Sequence, residues 1–177
     1  ERTTELTASH CARIETLSRA AAYRDEETGM HVRRISLFCV EMAKAIGKDS
    51  VFCECIQVAS PMHDVGKIAI PDRVLLKPGP LDAEEWQIMK QHAALGSDML
   101  MGCDSPYLQM GRDIARSHHE RYDGTGYPDS LEGDEIPLAA RIMAVVDVYD
   151  ALRSARPYKR AIDHERVRST IVSRRPS

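Results

Sequence analysis

Apolar residues recur along most of the chain at spacings of three and four, which is the period of an amphipathic α-helix. Stripes of this kind cover residues 3–24, 28–47, 50–64 and 108–119. The sequence has no alternating apolar and polar run of useful length, the pattern of a half-buried strand. We therefore expect an all-α protein, built as a single bundle of about six to eight helices.

Capping residues mark several expected helix boundaries. Asp82 and Glu85 match a capping box that starts a helix, Pro137 suits the first turn of a later helix, and a last helix is expected to start at Asp163. The stretch 66–81 is rich in proline and glycine. We expect this stretch to run over the surface without a helix.

Composition narrows the class of protein. A chain of 177 residues with 43% hydrophobic content can bury one substantial core, which favours a single domain. We expect it to be soluble and cytoplasmic, because it has neither a long apolar run nor a recognisable secretion signal. Its five cysteines form no C-x-x-C pair, which argues against a disulfide framework, and its net charge of -3 gives no general attraction for nucleic acids.

Histidines are concentrated on the inward faces of the expected helices. A single buried histidine is more often a hydrogen-bonded core residue, but several uncharged imidazoles are difficult to satisfy together. A shared metal site would satisfy them. Five of the seven histidines lie on or beside such faces in four helices: His31, His63, His92, His118 and His119.

One carboxylate supports this interpretation. We expect the run Ala144–Val148 to be mostly buried, and Asp147 interrupts it with a charge that is costly to bury alone. A bound cation would offset this cost. A salt bridge to a buried arginine such as Arg141 is the alternative.

Two more carboxylates complete the candidate donors. Asp64 directly follows His63, and Glu27 lies one helical turn before His31. The whole set exceeds the roughly four to six ligands that one ion takes, so two or three divalent ions fit it better. Mixed imidazole and carboxylate donors suit iron, manganese or zinc, with nickel and cobalt as further options.

A set of histidine and carboxylate donors that can hold two ions favours hydrolysis of a phosphoester. Two ions about 3.5 to 4 Å apart can stabilise both the attacking and the leaving oxygen of an in-line displacement at phosphorus. Lys67 follows His63 and Asp64 closely enough to place a positive charge on a phosphate. Because no Ser or Cys stands in a recognisable nucleophile motif, phosphoester hydrolysis without a covalent intermediate is the leading interpretation.

A series of short motifs follows one order along the chain: Arg24–His31, His63–Lys67, Lys77–Leu81, His118–Pro128, Ile136–Arg141, Asp147–Leu152 and Arg156–Lys159. In this order the motifs resemble those of the HD-GYP phosphodiesterases of bacterial cyclic di-GMP signalling. The resemblance implies a helical bundle of the HD superfamily, with a connector helix at residues 1–24 and the catalytic domain at residues 25–177, whose C-terminal helices are shorter than is usual in that family.

The resemblance also implies a ligand set. The ligands shared by the HD superfamily correspond to His31, His63, Asp64 and Asp147. The second metal is added by His92, His118 and His119, with Asp64 as the bridge. In some members a third ion is supported at the position of Glu27, for which a solvated residue that favours the helix dipole is the alternative.

Further roles follow from the same resemblance. Lys67, Arg156 and Lys159 correspond to phosphate contacts, although surface salt bridges are the alternative for Arg156 and Lys159. Asp150 would orient the nucleophilic water, or would form a salt bridge. Tyr127, in the loop Gly126–Pro128, would contact the substrate or a protein partner, and a tight turn with a packed tyrosine is the alternative.

The function implied is hydrolysis of cyclic di-GMP to linear pGpG and on to GMP by a metal-bridged hydroxide, with Asp64, Lys67 and Asp150 as the catalytic residues. A phosphodiesterase for another cyclic dinucleotide is one alternative. A nucleotide-sensing or protein-interaction module with low turnover is another. The expected partners are the nucleotide, a diguanylate cyclase at the Gly126–Pro128 loop, and a second copy of the chain in a homodimer.

Overall fold

The computed structural model describes residues 29–102, 105–154 and 161–173. The expected helix at residues 3–24 lies outside these ranges. Within them the all-α prediction is confirmed, since no β-strand is present there and the extended pairing is a single isolated bridge between Asp123 and Glu132. No helix in the described part of the chain is long and apolar enough to cross a membrane.

The described residues form seven α-helices and three short 3₁₀ turns. The 3₁₀ turns are Ser60–Met62, Val65–Ala69 and Gly133–Glu135. The α-helices are α1 (Gly29–Ala45), α2 (Ser50–Ala59), α3 (Asp72–Leu75), α4 (Ala83–Met99), α5 (Pro106–Ser117), α6 (Leu138–Arg153) and α7 (His164–Ser173).

The predicted capping box at the start of α4 is confirmed. The Asp82 carboxylate accepts a hydrogen bond from the Glu85 amide at 2.9 Å, and the Glu85 carboxylate accepts one from the Asp82 amide at 2.9 Å. Each side chain therefore satisfies a backbone donor that the helix leaves open. Pro137 stands directly before α6, as its N-cap, rather than inside the first turn.

The chain near the His-Asp pair is less regular than its periodicity predicts. The expectation of one helix from Ser50 to Asp64 is wrong, because α2 ends at Ala59 and Pro61 lies in a 3₁₀ turn. Proline cannot donate the hydrogen bond that a continuing α-helix requires. The expectation that 66–81 contains no helix is also wrong, since a 3₁₀ turn and the one-turn α3 lie within it.

The main core forms where α1, α2, α5 and α6 pack together. On α1 the buried stripe is Val32, Ile35, Cys39 and Ala43. The spacing predicts a different stripe, formed by His31, Ile35, Phe38, Met42 and Ile46, of which His31 and Ile35 are buried and Ile46 is 51% exposed. Spacings of three and four fit two adjacent stripes equally well, so the position of the neighbouring helices decides which one is buried.

The apolar run on α6 is only partly buried. The expectation for Ala144–Val148 is wrong, because Val145 and Val148 are exposed and the Asp147 side chain is 31% accessible. Five consecutive residues cover more than one turn of a helix, and α6 buries one side against α1 and α5. Val145 instead lines an apolar groove of about 360 Å³ between α1, α6 and α7.

A close backbone contact joins the second 3₁₀ turn, Val65–Ala69, to α4. A Cβ atom on Gly66 would overlap the carbonyl oxygen of His92 and would lie 2.5 Å from the amide nitrogen of Gly96. Only glycine fits this approach without moving backbone. The contact holds Asp64 and Lys67 beside the helix that carries His92.

We expect Gly66→Ala to lower the free energy of unfolding by about 2 kcal/mol or more, because the added methyl group has only rigid backbone to displace. Urea denaturation followed by circular dichroism measures the change. Gly111→Ala is the matched control, since its added Cβ would meet the flexible end of Met62 and should cost much less. Equal stability of the two variants would contradict the proposed role of Gly66.

Candidate metal centre

The predicted His-Asp pair lies between two 3₁₀ turns, at the centre of the donor residues. His63 is buried, and its Nδ1 lies 3.1 Å from the carbonyl oxygen of Ser60. Its Nε2 lies 3.2 Å from Oδ2 of Asp64. The ring therefore directs Nε2 toward the carboxylate that follows it in the chain.

One group of donors gathers around the other oxygen of Asp64. Its Oδ1 lies 3.3 Å from Nε2 of His92 and 3.6 Å from Nε2 of His118. With His119 these residues present donor atoms that all lie within 4.8 Å of one another. They come from the turn after α2, from α4 and from the end of α5.

A second group is formed by His31, His63 and Asp147, whose donor atoms also lie within 4.8 Å of one another. Nε2 of His31 lies 3.9 Å from Oδ1 of Asp147. Asp64 thus stands between the groups, with Oδ2 near His63 and Oδ1 near His92 and His118. A carboxylate with one oxygen toward each group has the arrangement of a bridging ligand.

Three of the histidines are oriented by the same local hydrogen bond. In each, Nδ1 contacts the carbonyl oxygen three residues earlier: Ser60 for His63 at 3.1 Å, Met89 for His92 at 2.7 Å, and Ala115 for His118 at 3.0 Å. A carbonyl oxygen can only accept, so each Nδ1 carries the proton. Each Nε2 consequently presents its lone pair to the site, as a metal ligand must.

The buried atoms at the centre fit a cation. Asp64 Oδ1, His92 Nε2 and His118 Nε2 are buried and have no hydrogen-bond partner among the described residues. An unsatisfied buried polar atom costs about 1–3 kcal/mol, and a divalent ion would satisfy all three together. Imidazole nitrogen and carboxylate oxygen are ligands that transition-metal ions accept. The described histidines and aspartates therefore form a cluster that can hold divalent metal ions.

Electrostatics keep these donors in the required protonation states. Burial alone would raise the pKa of Asp64, but neighbouring positive charge, that of Lys67 included, holds it well below its ordinary value. Burial, followed by the neighbouring His118 and His92, lowers the pKa of His119 to about 2. Burial also lowers the pKa of His92. At neutral pH the carboxylate is charged and both of these imidazoles are neutral.

Lys67 lies at the edge of the centre, beside Asp64. Its ammonium nitrogen lies 2.8 Å from Oδ2 of Asp64, three residues earlier in the chain. The positive charge is therefore fixed beside the carboxylate that faces both donor groups.

Asp150 does not face the centre, and its expected role in orienting water is not supported. It is 1% exposed, and its Oδ2 lies 2.7 Å from Nδ1 of His31. Arg34 donates from Nε to Oδ1 at 2.6 Å and from a terminal nitrogen to Oδ2 at 2.8 Å. The alternative of a salt bridge describes it correctly, and through this bridge Asp150 positions His31.

The alternative proposed for Asp147 is wrong. Arg141 donates to Asp134 at 2.5 Å, so it is engaged at the surface and does not neutralise Asp147. Its carboxylate instead lies 3.9 Å from Nε2 of His31. This leaves Asp147 within the second donor group.

The loop that contains Tyr127 packs onto the first donor group. The Tyr127 ring is stacked on His119, with centroids 4.7 Å apart and planes 22° apart. The buried Glu120 holds the loop, because its carboxylate accepts from the amides of Asp129 at 2.7 Å and Leu131 at 3.1 Å. The Tyr127 ring is therefore packed, as in the alternative for this loop, and it covers a candidate ligand.

Sequence reasoning missed Arg34 and Glu120. Arg34 lies three residues after His31, so a search for a partner on the same helical face could have found it. Glu120 directly follows the His118-His119 pair but bonds to backbone, for which the sequence holds no clear signal. The predicted site residues Glu27, Arg156 and Lys159 lie outside the described residues.

Comparisons with known proteins agree with this geometry. A family model described as HD domain matches residues 15–173. A cyclic di-GMP phosphodiesterase of Thermotoga maritima is 49% identical over 146 residues, which cover 82% of this chain and 40% of that protein. A cyclic di-GMP phosphodiesterase response regulator of Xanthomonas campestris is 50% identical over 148 residues, which cover 84% of this chain and 39% of that protein.

Two further matches are a relative whose name gives another nucleotide and a solved structure of low sequence identity. A protein of Vibrio cholerae named 3'3'-cGAMP-specific phosphodiesterase 2 is 43% identical over 162 residues, which cover 92% of this chain and 31% of that protein. The solved structure of Bd1817, an HDG"Y"P protein from Bdellovibrio bacteriovorus, has a TM-score of 0.56 and 20% identity over 69% of this chain and 40% of that one, which supports the fold alone.

The chain spans less than half the length of each of these proteins. The family model nevertheless covers most of the chain, and the helices bring the predicted His-Asp pair to the centre of its donor groups. The chain therefore belongs to the HD domain family.

Proposed function

We propose that the chain is the catalytic part of a metal-dependent phosphodiesterase that hydrolyses cyclic di-GMP to linear pGpG and on to GMP. The observation that carries the proposal is the position of Asp64, with one oxygen near His63 and the other near His92 and His118. Two relatives of high identity bear the name cyclic di-GMP phosphodiesterase. Because another is named as specific for 3'3'-cGAMP, hydrolysis of a different cyclic dinucleotide is the alternative.

The donor groups assign the ligands of two ions in this proposal. One ion would be held by His31, His63 and Asp147, and the other by His92, His118 and His119, with Asp64 shared between them. A donor set of nitrogen and oxygen without thiolate suits iron or manganese. A third ion at Glu27 stays a prediction.

The chemistry divides between the ions and the chain. Divalent ions, when bound, supply the Lewis acidity that activates water and stabilises negative charge on a phosphate. The imidazole Nε2 atoms and Asp64 hold these charges in a buried setting where electrostatic interactions are strong. Lys67, fixed at 2.8 Å from Asp64, places its ammonium group where it can donate to a phosphate oxygen.

Several expected roles remain predictions in this proposal. They are phosphate contacts by Arg156 and Lys159, a diguanylate cyclase bound at the Gly126–Pro128 loop, and a homodimer. The stacking of Tyr127 on His119 supports a structural role for that loop.

We expect the protein, purified without oxygen and loaded with iron or manganese, to hydrolyse cyclic di-GMP. Asp64→Asn should lower kcat/KM by about 100-fold or more, because the amide cannot supply a charged bridge and outer-shell changes alone cost about 10–100-fold. Chromatography of pGpG and GMP measures turnover. Asp98→Asn is the matched control, since Asp98 is exposed on α4. This substitution should leave kcat/KM unchanged.

Two results would contradict the proposed activity. Full activity of Asp64→Asn would remove the carboxylate from the mechanism. Tight nucleotide binding with no product from the metal-loaded wild type would instead identify the sensing module.

We also expect the two donor groups to lose metal separately. His31→Ala should lower the metal content of the second group, and His119→Ala that of the first, each by about one ion per chain. Elemental analysis of protein purified without oxygen measures this content, with Asp98→Asn again as control. Retention of the full metal content by both variants would contradict the assignment.

A further inference from the structure

The rim of the metal centre carries an aromatic and a cationic side chain that the proposed mechanism does not use. Trp86 and Lys90 are four residues apart on α4 and so lie on one face of the helix. The same helix carries His92, whose Nε2 faces Asp64. These two side chains are therefore on the element that forms one wall of the centre.

A chain of ring contacts connects Trp86 to the donor residues. The Trp86 ring meets Tyr127 edge to face, with centroids 6.3 Å apart and planes at 80°. Tyr127 in turn stacks on His119 at 4.7 Å. Trp86 is thus two ring contacts away from a candidate ligand, and it is 46% exposed.

Trp86, rather than Tyr127, has ring surface to offer to a ligand. Tyr127 already has His119 stacked on it, and the Lys90 ammonium lies over its ring at 5.7 Å from the centroid. The Trp86 indole is held by its contact with Tyr127 but remains nearly half open to solvent. A large aromatic surface held in place beside a phosphate-binding centre is the arrangement on which nucleobases stack.

Lys90 can add base selectivity to the Trp86 surface. Its ammonium group is fixed over Tyr127, one helical turn from Trp86. Stacking alone tolerates every base. A lysine can donate to the O6 and N7 acceptors of guanine, whereas adenine presents an amino donor in place of O6.

We propose that Trp86 and Lys90 form a purine subsite, in which Trp86 stacks on one base of the cyclic dinucleotide and Lys90 selects guanine. This inference rests on the proposed phosphodiesterase function and specifies its substrate. In this proposal the scissile phosphate is held at Asp64 and Lys67, and the base is held on α4. The subsite gives a role to the Trp86 indole, which is 46% exposed near the metal donors.

Fluorescence tests the stacking directly, because Trp86 is the one tryptophan of the chain. Titration of the metal-loaded protein with a slowly hydrolysed phosphorothioate analogue of cyclic di-GMP should quench the indole emission. Ribose 5-phosphate, which has no base, should leave the emission unchanged. An emission unaffected by saturating analogue, with binding verified by equilibrium dialysis, would overturn the proposal.

Kinetics test the contribution to binding. Trp86→Ala should raise KM for cyclic di-GMP by about 5-fold to 100-fold with little change in kcat, because stacking is made equally in the bound substrate and the transition state. Trp86→Phe should restore most of the affinity. Met99→Ala removes an equally exposed side chain of the same helix, at 46%, and should leave KM unchanged. A KM for Trp86→Ala equal to that of the wild type would overturn the stacking role.

Lys90→Met tests the selectivity. The variant keeps a side chain of similar length without the donor, and its preference for cyclic di-GMP over cyclic di-AMP in kcat/KM should fall by about 10-fold. An unchanged ratio would overturn the role of Lys90. If the wild type hydrolyses neither nucleotide, the proposed function itself fails, which is distinct from an active wild type whose Trp86 and Lys90 variants behave normally.

Discussion

The metal centre depends on a contact between backbones. Gly66 lies so close to His92 and Gly96 of α4 that no side chain fits between them. This contact brings the turn that carries Asp64 against the helix that carries His92, and their side-chain atoms come to 3.3 Å from each other. Because the contact at Gly66 joins backbone to backbone, the spacing between this turn and α4 cannot adjust by a change of rotamer.

The two donor groups are supported in different ways. His63, His92 and His118 are oriented by carbonyl groups three residues earlier, so their support is local. His31 is oriented by Asp150, which is 119 residues away and is neutralised by Arg34. The pair α1 and α6 must therefore dock before His31 acquires its partner, whereas the other three rings acquire theirs when their own turn forms.

Periodicity predicted the helices well but not the stripe that each one buries. The capping box at Asp82 was found because its two residues act on each other within four positions. The buried stripe of α1 and the exposure of Val145 were not found, because they depend on where other helices pack. The donor histidines were identified for a chemical reason, since several imidazoles on inward faces need a common partner. Arg34 and Glu120 escaped because their partners are distant in the chain or belong to the backbone.

The hydrogen bonds at Nδ1 determine at which stage the histidine rings lose their side-chain entropy. Each carbonyl bond fixes one tautomer and one ring orientation for His63, His92 and His118 during folding itself. Capture of an ion then requires no proton shift within these rings and little loss of side-chain entropy. A site prepared in this way needs no reorientation of these three rings before it can hold an ion.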